Sequence, residues 1–488
     1  MRPLLAGLLA AIAIAAAGCG GGGGGGKLPE GASIAPRSAL AFISVNTDFS
    51  SPQWKRVVKL AGRFPGTAQL IAELEKQTKG LDFEHDVKPA LGPEVDVLWL
   101  DAANNGTDAV GLTKPDSETK LDALLKKAHT PGGAKLFAER VGDWAVIADA
   151  RAKIDRFKSR SGGDKLAGDK DFKQAFEKLD ADSSVRAWIS GDFVQSALDR
   201  GLASTPPRLT HDVGDLHAIS GSAKAGGNGA SLELDWFIDP TPDPATFSPS
   251  LPDDFPDGAM LYVSTTHLDA PLRTVLRLVG ESVPNFDTQL AQVESVLGLT
   301  LKDDIYPLLA GESALAVYPG TPRLPSILFV QKVDDEKKAD GLLRRFSAIA
   351  QLGGGINAGT VRLGGKTVQK LTITSAGVTI YDGVASGRLF VTNAEDLAKQ
   401  AVTGPSKRLG DDDLFRSARH ASGMPGKVAA FAYGDLEHGV PSILRFAQQN
   451  GNVVPPEAFA NSKPLTAALA YLVKDGDALR MSGAGTIK

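Results

Sequence analysis

Short runs of alternating apolar and polar positions recur along this chain, separated by stretches of helical period. Ala39–Val45, Val95–Leu100, Ala109–Thr113 and Trp144–Ala148 alternate with period two and are expected as strands. Ser51–Gly62 and Thr67–Lys79 are expected as helices, with Pro65 as the breaker between them. Asp116-Ser-Glu-Thr119 opens a further helix running to about His129, with Leu121, Leu124, Leu125 and Ala128 on its inward face. Gly142-Asp143 fits a tight turn into Trp144. Hairpins are also expected around Gly226-Gly-Asn-Gly229 and Lys474-Asp-Gly-Asp477. Strands joined by such short turns predict an α+β fold, a mainly antiparallel sheet covered by helices.

The pattern occurs twice. Pro36 and Ala39–Ser44 match Pro256 and Ala259–Ser264, and Asp86-Val-Lys-Pro89 with Leu91 and Glu94 matches Asp304-Ile-Tyr-Pro307 with Leu309 and Glu312. Lys114, Asp116, Glu118, Lys120, Asp122, Leu124 and Leu125 recur at a constant shift of 218 as Lys332, Asp334, Glu336, Lys338, Asp340, Leu342 and Leu343. Leu166, Asp169, Phe172 and Ala175 recur at a shift of 243 as Leu409, Asp412, Phe415 and Ala418. Val185, Ala187, Trp188, Gly191 and Asp192 match Val428, Ala430, Phe431, Gly434 and Asp435 at that same shift. The change in shift places an insertion in the second copy, near Leu352 to Tyr381, where Gly353-Gly-Gly355 opens extra material. Two tandem copies are therefore expected, 35–238 and 258–488. Between them, 239–257 reads as a stiff proline-rich linker with six prolines from Pro240 to Pro256.

The N-terminus changes the picture from fold to compartment. Arg2 precedes the uncharged apolar run Leu4–Ala17, then Ala16-Ala17-Gly18-Cys19. That order reads as a secretory signal, and the run is short for a permanent span, which needs about 20 residues. Two processings fit: cleavage before Cys19 with acylation of its thiol, or ordinary secretion after a cut near Ala17. Cys19 is the only cysteine, so no internal disulfide forms and stability rests on apolar cores. Segment 1–18 is expected as the signal peptide. Residues 19–34 are expected as a lipidated tether: the glycine run Gly20–Gly26 cannot pack, and Lys27–Ile34 extends it. Loss of Arg2 with the leader leaves 52 basic and 57 acidic side chains, which argues against a nucleic-acid partner.

Candidate chemistry is sparse. The recurring polar positions are Asp116/Asp334 with Glu118/Glu336 at a helix start, Gly191-Asp192 and Gly434-Asp435 between strand and helix, and Glu94/Glu312 opening strands. All fit capping and dipole roles. Ser117-Glu-Thr-Lys120 has the spacing of a nucleophile and base, but Asp335 stands at the serine's place in the second copy. His211-Asp-Val-Gly-Asp-Leu-His217 could supply zinc ligands, yet it does not recur; it reads as a polar loop after Pro206-Pro207, and no metal site is assigned. Gly353–Gly359 follows a helix, unlike a dinucleotide fingerprint. No nucleophile elbow, zincin helix or Walker loop is present. No catalytic residue and no cofactor are expected.

Ala16-Ala17-Gly18-Cys19 resembles a bacterial lipoprotein signal, which implies a diacylglycerol thioether on Cys19, often with a third acyl chain on its amine. The mature chain, over nearly all of Ala35–Lys488, resembles the bacterial family known as domain of unknown function 3352. The resemblance rests on Ala39–Val45, Asp86-Val-Lys-Pro89-Ala-Leu-Gly92 and the spacing of Leu166, Asp169, Phe172 and Ala175; Ala90 and Leu308 stand where the family often has Trp. It implies an envelope location and a repeated α+β unit, with no catalytic residue to carry over. The expectation is an exported, non-enzymatic lipoprotein, anchored through Cys19 to the cell membrane or outer membrane and facing away from the cytoplasm. It would bind a small ligand, an apolar molecule or lipid included. The alternatives are a scaffold for another envelope protein and a hydrolase with an unrecognised site.

Overall fold

The computed structural model describes residues 26–69, 72, 83–101, 108–127, 135–201, 214–321, 324–352 and 355–488. The signal, Cys19 and Gly20–Gly25 lie outside these, as do His211 and Asp212, Gly353, and most of the expected helix Thr67–Lys79. The strands of the first half are β1 (Ala41–Asn46), β2 (Glu94–Asp101), β3 (Asp108–Thr113), β4 (Phe137–Val141), β5 (Trp144–Ala148), β6 (Val185–Ser190), β7 (Asp215–Ala225) and β8 (Gly229–Asp239). Those of the second are β9 (Leu261–Thr266), β10 (Glu312–Tyr318), β11 (Ser326–Lys332), β12 (Ile356–Leu363), β13 (Lys366–Ile373), β14 (Val378–Ala385), β15 (Arg388–Thr392), β16 (Ala430–Asp435), β17 (Leu465–Asp475) and β18 (Ala478–Ile487). Every described pairing between them is antiparallel.

Pairing runs β4-β5-β3-β2-β1-β6-β7-β8 through the first half, then β18-β17-β16-β9-β10-β11-β15-β14-β13-β12 through the second. The halves thus share one strand order and join through their last strands, β8 and β18. The extra pair in the second half, β12 and β13, is the inserted material expected near Leu352–Tyr381. The fold is α+β, two tandem units of antiparallel sheet covered by helices. At the junction Arg480 reaches across the β8–β18 pair to grip Asp235, fully buried, at 2.7 and 3.0 Å.

Alternation along each strand makes two faces. On the inner face of the first unit Phe42, Leu98 and Trp188 pack under α3 (Arg151–Arg160) and α4 (Lys170–Glu177). In the second, Tyr262 and Tyr433 pack under α9 (Glu395–Thr403) and α10 (Asp413–Ser422), whose Phe415 meets both rings. Asp169 and Asp412 cap α4 and α10 through Phe172 N and Phe415 N, both at 2.9 Å, so the recurring Asp-x-x-Phe spacing sets a cap and delivers a core aromatic. The outer face carries α1 (Pro52–Ala61), α2 (Glu118–Lys127) and α5 (Gly191–Gly201) in the first unit. The second has the hairpin α6 (Asp269–Ser282) and α7 (Phe286–Leu297), followed by α8 (Glu336–Leu352), α11 (Leu436–Gln449) and α12 (Pro456–Ser462).

Three expectations need correction. Lys27–Ile34 does not continue the tether: Glu30–Ser33 forms a 3-10 turn, Ala32 and Ala35 are fully buried, and Gly26 N donates to Glu177 O at 2.9 Å. The apolar side chains of Leu28, Ala32, Ile34 and Ala35 supply the driving force that the glycines lack. The linker is likewise shorter than 239–257. Phe247 pairs with Val428, and Leu251 and Phe255 are fully buried in the second core, the counterpart of the Glu30–Ser33 turn. The third concerns β6 and β16. Trp188 pairs with Phe42, and Tyr433, not Phe431, pairs with Tyr262. Trp188 meets Phe172 edge-on at 5.4 Å, as Tyr433 meets Phe415 at 5.1 Å. The sequence match at a shift of 243 is therefore two residues out of structural register on this strand. Packing of the large aromatic decides the register, not the shared Gly-Asp.

Candidate functional site

The corrected register exposes a difference between the units. On the inner face of the first, Ser44 of β1 lies opposite Asp96 of β2 on one side and Arg186 of β6 on the other. In the second, Ser264 lies opposite Ala314 and Phe431. One fold accepts either an acid and a base or two apolar residues at these places. Phe431 is buried against Tyr262 at 5.5 Å, so the apolar set is well packed.

Beside the polar set is a cavity of about 210 Å³, lined by Ser44, Asn46, Asp48, Pro93, Glu94, Ala181, Ser183 and Arg186. Residues 26–34 close over this region. Gly31 N donates to Glu94 Oε1 at 3.0 Å, and Arg186 Nη1 donates to Lys27 O at 2.7 Å. A Cβ at Gly31 would collide with the Asp96 carboxylate, which accounts for glycine there. Arg186 also lies over the Phe176 ring, 5.2 Å from its centroid. Asp48 is oriented by Ser50 N at 3.0 Å and Ser50 Oγ at 2.5 Å.

Ser183 Oγ has no hydrogen-bond partner in the protein, and the carboxyl of Asp96, which is fully buried, has none of good geometry, with Ser44 and Glu94 the polar side chains beside it. Burial pushes the Asp96 carboxyl well above the usual carboxylate range, and the charge of Glu94 adds to this; Ser44 and Arg186 act in the opposite direction. Burial lowers the Arg186 guanidinium against the opposing pull of Glu94, Asp96 and Asp180. In the second unit the equivalent of Glu94 is fully engaged. Glu312 accepts from Ser250 N and Leu251 N at 3.0 and 3.1 Å, from Ser264 Oγ at 3.3 Å, and lies 3.6 Å from Lys332.

The outer face differs too, in the opposite sense. Leu261, Val263, Leu315 and Ile327 are 42%, 37%, 37% and 37% exposed, whereas Ala41, Val97 and Ala109, at the places of Leu261, Leu315 and Ile327, are 7%, 3% and 2% exposed. The nearby α6–α7 hairpin buries no side chain, and Val275, Val293 and Val296 are exposed.

The sequence-predicted positions fall mostly on structural duties. Asp435 caps α11 through His438 N at 3.0 Å, whereas Ser190 Oγ, not Asp192, accepts from Phe193 N at 3.3 Å in the first unit. Asp335, in the place of Ser117, caps α8 through Lys338 N at 2.9 Å; Asp334 does not, and Lys120 is exposed. Glu118 pairs with Arg140, and Glu336 accepts from Gly387 N. Asp215, Leu216 and His217 lie on β7, preceded by Gly214, and residues 211–213 are outside the described residues. Of the recurring positions, the structure brings Glu94 and Ser44 into the cavity. Sequence reasoning missed Asp96, Ser183 and Arg186. The available signal was a charged residue in an alternating strand whose repeat carries Ala314.

Residues 125–470 match the family described as "Protein of unknown function (DUF3352)", and the chain belongs to that family. No curated protein matches it by sequence. Solved structures similar to part of the chain include TP0453 in crystal form III, 11% identical over 50% of this chain and 79% of that one, with a TM-score of 0.24. Crystal form IV of the same protein is 12% identical over 51% and 94%, also with a TM-score of 0.24.

Proposed function

We propose that this chain is a lipid-anchored envelope protein, non-enzymatic, whose first unit binds a small polar ligand in the cavity beside Ser44, Glu94 and Ser183. The observation that carries this reading is Ser183, whose buried Oγ lines the cavity without a protein partner, beside Arg186 at a place where the second unit has Phe431 packed against apolar side chains. Each buried polar group left without a partner costs about 1–3 kcal/mol. The fold does not require that cost, so a ligand that offsets it is the economical reading. An acyl chain does not suit this cavity, where Pro93 and Ala181 are the apolar members of a polar lining.

Anchorage supports the location. With Gly26 docked, covalent geometry keeps Cys19 within about 25 Å of the folded body. A ligand site closed by residues 26–34 would lie close to the membrane surface. Native mass spectrometry of the full chain, released from host membranes in detergent, tests both parts. A diacylated Cys19 peptide and a co-purifying small molecule absent from Ser183→Ala protein are expected. An unmodified Cys19 defeats the anchor, and no mass difference between parent and variant beyond the substitution defeats the ligand.

The outer face of the second unit supports a second reading, a scaffold for another envelope protein. Its half-exposed Leu261, Val263, Leu315 and Ile327 form an apolar patch that the first unit keeps closed. Crosslinking in cells from Val263 and Leu315, with a reproducible protein partner or none, decides it.

A further inference from the structure

The chemistry of the ligand follows from how charge is divided across the cavity, and this inference rests on the reading just given. Glu94 and Asp96 belong to β2 and Arg186 to β6, on opposite sides of β1, so acid and base approach from walls two strands apart, about 10 Å between backbones. Asp48 adds a second lining carboxylate, and Ser44, Asn46 and Ser183 are neutral donors and acceptors between the charged walls.

Each charged group retains capacity. Arg186 donates Nη1 to Lys27 O, and a guanidinium carries five N–H donors. Glu94 gives Oε1 to Gly31 N and faces the Asp96 carboxyl, Asp48 commits Oδ1 to Ser50, and both carboxylates can still accept from a cation at the cavity. Ser183 Oγ, 3% exposed and lining the cavity, has no protein partner. A group carrying one charge would satisfy one wall and face like charge on the other. A molecule carrying both signs satisfies both. We propose that the cavity is a site for a small zwitterion of the amino-acid class, its carboxylate on Arg186 and Ser183 and its ammonium on Glu94 and Asp48.

Size narrows the class. About 210 Å³ is the liquid volume of roughly seven waters. That accommodates the charged core of a molecule of about five to seven non-hydrogen atoms, the range of glycine, alanine and serine. The ammonium would also bring positive charge toward the Glu94–Asp96 pair, which now has Arg186 as its nearby cation; Asp180 with its partner Lys224, and Lys27 and Lys114 with Glu30, are the further ionisable groups around that base and the covering segment.

The full chain in detergent is titrated by calorimetry and followed by thermal unfolding with glycine, alanine and serine. Acetate, methylammonium and glycerol serve as half-molecule and neutral controls at the same concentration. The expected result is a raised unfolding midpoint with alanine or serine, acetate and methylammonium binding at least tenfold more weakly, and at least tenfold loss of alanine affinity in Arg186→Phe and Ser183→Ala. Arg186→Phe copies the residue of the second unit; should it fail to fold, Ser183→Ala and Asp48→Asn carry the test. Methylammonium or acetate binding as well as alanine overturns the zwitterion assignment while leaving a small-ligand site, as does binding of glycerol alone. No response to any of these solutes, with parent and Ser183→Ala protein alike, overturns the site itself.

Discussion

Replacing Asp96 with alanine should stabilise the protein at neutral and alkaline pH. The side chain is fully buried and neither carboxyl oxygen has a hydrogen bond of good geometry, so its removal relieves a desolvation cost of about 1–3 kcal/mol. Against this stands the space left by three heavy atoms: roughly 25–30 Å³ at about 24 cal/mol per Å³ returns some 0.7 kcal/mol. A net gain of about 1 kcal/mol is expected, and Ala314 shows that the fold accepts alanine at this place. The pH dependence gives a sharper test. Burial, then the charge of Glu94, raises the Asp96 carboxyl in the folded protein above its unfolded value. A group so raised contributes stability that is fully present below the unfolded value and is lost as pH rises through the folded one. Parent protein should therefore weaken relative to the variant as pH climbs from 4 towards 9. Urea unfolding followed by tryptophan fluorescence, at one-unit pH intervals without added ligand, reads this directly, since Trp188 lies in the same core. A variant less stable than the parent at pH 8, or a difference constant from pH 4 to 9, would refute the claim that Asp96 is an uncompensated group.

Asp382 offers an independent pH test in the second unit: burial, then Asp340, raises its carboxyl to about 6, so Asp382→Asn should gain relative stability above that pH and little below pH 4 in the same assay. Arg480→Ala leaves Asp235 buried without its bidentate partner, and a loss of about 3–5 kcal/mol is expected, with the two units unfolding as separate calorimetric transitions; a single unshifted transition contradicts the role given to that pair. Cys19→Ser should move the protein from the detergent-rich to the aqueous phase on cloud-point extraction, and partition equal to the parent would show that Cys19 is not the anchor.

Much of the architecture was legible because it depends on local rules that both units obey. Alternation marked β1, β2, β3 and β5, and the recurring spacing of Asp169 with Phe172 and Asp412 with Phe415 marked the duplication, which the structure resolves into a helix cap three residues before a buried phenylalanine. What local pattern could not reveal was which residues face one another across strands. Val185 to Asp192 matches Val428 to Asp435 letter by letter better than it matches the segment two residues on, yet Trp188 and Tyr433 share the same place, because each fills the space beside Phe172 or Phe415. That slip hid the equivalence of Arg186 with Phe431, and with it the chemistry. A search for polar residues common to both copies finds caps and turns, since those are what two copies of one fold must share. The cavity became visible through residues that the copies do not share: Asp96 against Ala314, Arg186 against Phe431. In a duplicated fold the retained residues report how the unit is built, and a buried charge kept in only one unit marks where that unit has been given something to bind.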